Sequence, residues 1–204
     1  MEGRRKVNVM SLQTRVVNII TKPESEWRTI AGESADVVGL FRDYAVPLSA
    51  IPAFCRFVGM SVVGVSVPFL GTVRTDVVRG LAGAVVSWVL SLVGTWLAGL
   101  IVEKLAPTFQ SRSDPVQALK LVIYAMTPVW VAGVLNLVPA LGILVILAAL
   151  YSIYLFYLGL PPVMGTPPDK VIPYMAVSAV VVIVVSIVLG MVTAAAVGVG
   201  GYGL

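Results

Sequence analysis

The sequence predicts an all-α integral membrane protein, a bundle of five transmembrane helices preceded by short amphipathic helices. Three observations carry that expectation. Of the 204 residues 58% are hydrophobic and only 12% charged, with a mean hydropathy of +0.98, whereas a water-facing domain carries about 25% charged residues. Five apolar stretches reach the roughly 20 residues a helix needs to cross a hydrocarbon core about 30 Å thick. Two of them, within Leu119–Lys170, are separated only by the corner Asn136-Leu137-Val138-Pro139, so they must fold back as an antiparallel membrane hairpin.

The same composition removes several kinds of chemistry. There is no histidine, and the one cysteine, Cys55, lies in an apolar run, so zinc, copper and haem ligand sets cannot be assembled and no intramolecular disulfide can form. Carboxylate sites for magnesium or calcium stay formally open, but the acidic residues sit mostly at helix ends and in the N-terminal region, without EF-hand or paired-carboxylate spacing. No nucleophile stands beside a base. Gly198-Val199-Gly200-Gly201 is not a dinucleotide fingerprint, because no strand precedes it and no helix follows. We therefore expect no catalytic residue, no metal and no cofactor. The net charge of +4 sorts by side of a bilayer, so no nucleic-acid partner is expected either.

Residues 1–43 read as a cytoplasmic and interfacial region. Arg4, Arg5 and Lys6 form a basic arm, and the polar Asn8, Ser11, Gln13, Thr14, Arg15 and Asn18 then interrupt what a cleaved signal peptide would keep apolar. Val9, Met10, Leu12, Val16, Val17, Ile19 and Ile20 share one half of a helical wheel, with Ser11, Thr14, Arg15 and Asn18 on the other. Such a helix is too polar to span; it lies in the headgroup plane or packs on protein. Thr21 and Glu24 have capping-box spacing around Pro23. They open a second short helix through Trp27 and Ile30, with Trp27 as an interface anchor.

The transmembrane domain is expected over residues 44–198, with spans at about 44–72, 80–102, 116–137, 139–160 and 174–197. Pro47 and Pro52 predict a kinked start to the first span. Arg56 lies inside it; an intramembrane arginine is a functional candidate, or it snorkels or pairs with another helix. In the second span Gly83, Ser87, Ser91, Thr95 and Gly99 recur at every fourth position. Small residues on one face let helices approach closely in lipid, so this stripe reads as a packing seam, with a polar pathway through Ser87, Ser91 and Thr95 as the other reading. Leu160–Pro173 reads as a proline-rich connector. The fifth span carries a second small-residue stripe, Ser178, Ser186, Gly190, Ala194 and Gly198, and the glycine-rich tail 199–204 has no reason to be ordered.

Five spans put the termini on opposite faces. With the N-terminus cytoplasmic, eleven basic residues fall on that side, Arg74 and Arg79 on the other, and Arg56 in the membrane. The positive-inside rule favours that orientation and sends the C-terminus outward.

A candidate site lies in the hairpin. Tyr124 and Tyr151 each fall roughly 13 Å inside the cytoplasmic end of their helices at 1.5 Å per residue, so they share one depth on antiparallel neighbours. A phenol at that depth needs a hydrogen-bond partner. Pro128 leaves the carbonyl of Tyr124 without its helical donor, and Tyr154 and Tyr157 continue the ladder outward. Tyr124, Thr127, Pro128, Tyr151 and Tyr154, with Arg56, are candidates for a small intramembrane polar pocket; alternatively the hydroxyls satisfy the freed carbonyl and one another.

The hairpin also carries a resemblance. Tyr124-Ala125-Met126-Thr127-Pro128-Val129-Trp130, Leu137-Val138-Pro139, Tyr151-Ser152-Ile153-Tyr154-Leu155-Phe156-Tyr157-Leu158-Gly159 and Met164-Gly165-Thr166-Pro167-Pro168-Asp169-Lys170 resemble the core block of prokaryotic members of the Yip (Ypt-interacting-protein) family of multi-pass membrane proteins. Glu103-Lys104-Leu105-Ala106-Pro107-Thr108-Phe109 and Pro23-Glu24-Ser25-Glu26-Trp27-Arg28 are similar to that family too. The resemblance implies a non-enzymatic scaffold or adaptor in membrane organisation or trafficking. The partners it implies are the lipid bilayer, other membrane proteins or further copies of the chain, and a small Rab-type GTPase. The Asp-Leu-Tyr-Gly-Pro word of many eukaryotic members does not occur ahead of the first span. A carrier or channel for an ion or small solute, lined by Arg56, Tyr124, Thr127 and Tyr151, is the alternative function.

Overall fold

The computed structural model describes residues 11–67 and 71–197. The basic arm, Val9, Met10 and the tail from Gly198 lie outside the described residues. Two short helices, α1 (Leu12–Thr21) and α2 (Pro23–Gly32), precede five helices long and apolar enough to cross a membrane: α3 (Val37–Val63), α4 (Val77–Phe109), α5 (Pro115–Leu137), α6 (Pro139–Met164) and α7 (Pro168–Val197). The five-span, all-α expectation holds.

Side-chain caps explain most helix starts. Ser11 accepts from the Thr14 amide, Asp36 from Gly39, Asp76 from Val78 and Arg79, and Asp114 from Val116 and Gln117. The capping box does not form. Lys22 caps α2 with its backbone alone, and the Thr21 hydroxyl turns back to donate to Val17 O at 2.7 Å.

Helix bounds also depart from expectation. The first span was expected to run from 44 to 72, but α3 begins at Val37, takes a wide turn over Phe41–Ala45 ahead of Pro47, and ends at Val63. The following residues return as a short antiparallel ribbon of β1 (Val65–Val67) on β2 (Gly71–Val73), with Val65 opposite Val73. An alternating Val-Ser-Val run favours extended backbone, and hydropathy averaged over a window cannot separate it from helix. The proline-rich connector shrinks to Gly165–Pro167, because Pro161 and Pro162 lie inside the last turn of α6 and Pro168 opens α7. Gly165 ends α6 in the left-handed region at φ 65°, its amide on Pro161 O at 3.0 Å.

The bundle is built around α5, which packs against α3, α4 and α6; α7 leans on α4 and more lightly on α6. Close approaches mark these contacts. A Cβ at Gly133 would meet the Pro52 ring of α3, and one at Gly99 would sit 3.0 Å from Leu119 Cδ1. The hairpin of α1 and α2 covers one end of the bundle, over α5 and α6.

Candidate functional site

That docked hairpin creates a polar cluster, and it begins from helix ends. The last carbonyls of an α-helix lack intrahelical donors and carry the negative end of the helix dipole, so they attract cations and N–H groups. At the end of α2 they meet α5: Lys120 Nζ donates to Ile30 O at 3.1 Å and to Glu33 O, and Gln117 Nε2 donates to Ala31 O at 3.3 Å. Near the end of α1, Ile20 O accepts from the Tyr151 hydroxyl of α6 at 2.7 Å. Four hydrogen bonds from two spans therefore grip the backbone of the hairpin.

Charge fills the space between. Arg15, on α1, turns inward and is buried; its guanidinium binds Glu26 of α2 and both oxygens of Glu33 just beyond it. Burial works against the positive charge, but the hydrogen bond to Glu33 and the nearby charges of Glu33 and Glu26 outweigh it, so the guanidinium is held above its ordinary range. With Lys120, the cluster holds two basic and two acidic side chains, so its charges balance.

The guanidinium also lies 5.6 Å from the centroid of the Tyr124 ring. Tyr124 meets Tyr44 of α3 edge to face at 4.7 Å between centroids and Trp27 of α2 at 6.4 Å. The Tyr44 and Thr127 hydroxyls are 2.8 Å apart. Gly159 of α6 makes room for Trp27: a Cβ there would lie 2.9 Å from its ring and 2.5 Å from Leu121 Cδ1.

The sequence-predicted pocket residues therefore divide. Tyr124, Thr127 and Pro128 are buried together beside the helix break at Met126. Tyr151 is half-buried and faces the hairpin backbone, while Tyr154 is exposed, its ring 5.7 Å from that of Tyr151. Arg56 is not with them. It is exposed near the opposite end of the bundle, lining a cleft of about 220 Å³ with Met60, Asn136 and Pro139. Of the small-residue seam, Thr95 and Gly99 are buried and Gly83 and Ser87 half-buried; Ser91 is exposed and donates to Trp88 O. Among the described residues no group of His, Cys, Asp or Glu is placed to hold a metal.

One expectation is corrected: Trp27 is fully buried rather than an interface anchor. Of the two readings of α1, packing on protein is the one found, its inward face set by Arg15 and Ile19, with Val17 exposed. The residues that sequence reasoning passed over are Arg15, Glu26, Glu33, Tyr44 and Lys120. Their one visible signal is an arginine on the polar face of α1 followed by Glu24, Glu26 and Glu33 in and just beyond the next helix.

The Yip1 domain family matches residues 17–190. The chain is also 24% identical over 151 residues to the inner membrane protein YohC of Escherichia coli K12, covering 72% of this chain and 77% of that protein, and equally to YohC of Escherichia coli O6:H1. No solved structure matches. The match takes in α2, the first four spans, most of the fifth and most of the polar cluster, and the chain belongs to the Yip1 domain family of membrane proteins.

Proposed function

We propose that this multi-pass membrane protein is a scaffold or adaptor in membrane organisation or trafficking, working by association rather than catalysis. One observation carries the reading: the buried charged side chains among the described residues are tied to partners inside the protein. Arg15, Glu26, Glu33 and Lys120 are tied to each other or to helix ends, and Tyr44 is tied to Thr127. A solute path would need such groups turned towards an opening. Meanwhile α7 presents Ile183, Val184, Ile187 and Val188 outward, apolar surface available to lipid or to another membrane protein.

The N-terminus and the docked hairpin lie on the cytoplasmic side and the C-terminus on the other, in keeping with the eleven basic residues on one side. A label on Leu204 reached only from outside the cell supports this; a label reached together with one on Met1 overturns it. The partners are other membrane proteins or further copies of the chain, and a small GTPase is the class the family resemblance implies. A photo-crosslinker at Ile187, used in native membranes and read by mass spectrometry, yields discrete protein adducts under this reading. Solute flux through liposomes holding the purified protein, abolished by Tyr124→Phe, would replace association with transport.

A further inference from the structure

We propose that the cleft between the α1–α2 turn and α6 binds the phosphate headgroup of an anionic glycerophospholipid. The cleft measures about 410 Å³ and is lined by Lys22, Pro23, Glu24, Ser25 and Arg28 on one side and Tyr154 on the other. Lys22 and Arg28 are exposed, and neither joins an ion pair among the described residues, unlike Arg15, Arg42, Lys104 and Lys170. Glu24 is the one acid on the rim, so two basic side chains leave an excess of positive charge facing the opening.

Position decides what fills it. Ile146, Leu150, Ile153, Tyr154 and Tyr157 are all exposed on α6. Their spacing of four, seven, eight and eleven from the first puts them on one helical stripe. In a bilayer acyl chains lie along that stripe, and its last phenols reach headgroup level. The stripe runs into the cleft, because the Tyr151 hydroxyl on Ile20 O pins the α1–α2 turn beside Tyr154. A lipid whose chains rest on α6 thus carries its phosphate to Lys22 and Arg28 without leaving the protein surface. A soluble phosphate would meet the same cations but use none of the stripe, and an acidic peptide would leave its apolar length uncovered.

The test uses the full chain purified in neutral detergent, with native mass spectrometry reading retention of phosphatidylglycerol against phosphatidylcholine. Each basic residue near an anionic lipid contributes roughly five-fold in affinity. The double variant Lys22→Ala with Arg28→Ala is therefore expected to lose about 30-fold in phosphatidylglycerol retention and leave phosphatidylcholine unchanged. Lys22→Arg with Arg28→Lys keeps the preference, Tyr154→Ala weakens both lipids, and millimolar glycerol phosphate leaves bound lipid in place. Should the double variant unfold, Arg28→Gln alone gives the same reading at about five-fold. The proposal is overturned if the unaltered chain shows no preference, if the alanine variant keeps it, or if glycerol phosphate displaces the lipid.

Discussion

The neighbouring spans α5 and α6 share one corner and meet opposite surroundings. In its membrane-crossing stretch α5 is 67% buried within the chain, and α6 only 11%. A water-soluble fold would bury the more apolar helix. Here α6, with no charged residue between Pro139 and Met164, faces out, and α5, with Gln117, Lys120, Tyr124 and Thr127, is the centre. Lipid solvates aliphatic side chains as well as a protein interior does but offers no hydrogen-bond partner, so the polar helix is drawn inside. Of these two spans the more polar one is the core.

The strongest way to break that comparison is to remove the charge that α1 brings to α5. Arg15→Met leaves Glu26 and Glu33 facing each other without their cation, and losing one partner of a buried pair costs about 3–5 kcal/mol. Thermal unfolding in detergent reports the loss, and protease sensitivity of α1 and α2 reports undocking. Lys120→Met keeps the stem and removes the donor, exposing the Ile30 and Glu33 carbonyls at a cost of about 1–3 kcal/mol. Faster cleavage near Gly32 would accompany it.

Smaller effects sharpen the contrast. Gly159→Ala on the protein-facing side of α6 drives a methyl into Trp27 and Leu121, for about 1–3 kcal/mol of overpacking and an altered tryptophan emission. Tyr44→Phe leaves the fully buried Thr127 hydroxyl without that partner and lowers stability by about 1 kcal/mol in the same melts. Ile153→Ala, on the outward stripe of α6, should change it by less than about 0.5 kcal/mol. A loss at Ile153 as large as that at Lys120 would mean that α6 is a core helix after all.

The five spans were legible because about 20 apolar residues have few alternatives to a membrane helix, and the break near Pro128 follows from proline's missing donor. In the lower half of the small-residue stripe Thr95 and Gly99 are buried, and Leu119 of α5 lies against Gly99. The docking of α1 and α2 was not legible. A single arginine on the polar face of α1 looks the same whether it meets headgroups or carboxylates 11 and 18 residues further on. Trp27 suits a headgroup belt equally well until Gly159, far along the chain, is seen to vacate its space. Arg56 shares only its chemistry with the tyrosines; the helical rise from Tyr44, which does reach Tyr124, carries Arg56 roughly 18 Å away along α3.

The grip on the hairpin backbone has a consequence for biogenesis. Ile20, Ile30 and Ala31 leave the ribosome early, yet the side chains that hold them, Tyr151, Lys120 and Gln117, follow 131, 90 and 86 residues later. Until those two spans insert, the nascent N-terminal helices have no seat and must wait outside the lipid with their ion pairs in water. Final assembly is thus a post-insertion docking step, and a chain arrested after its second span would display an N-terminal segment still open to any binder on its side of the membrane.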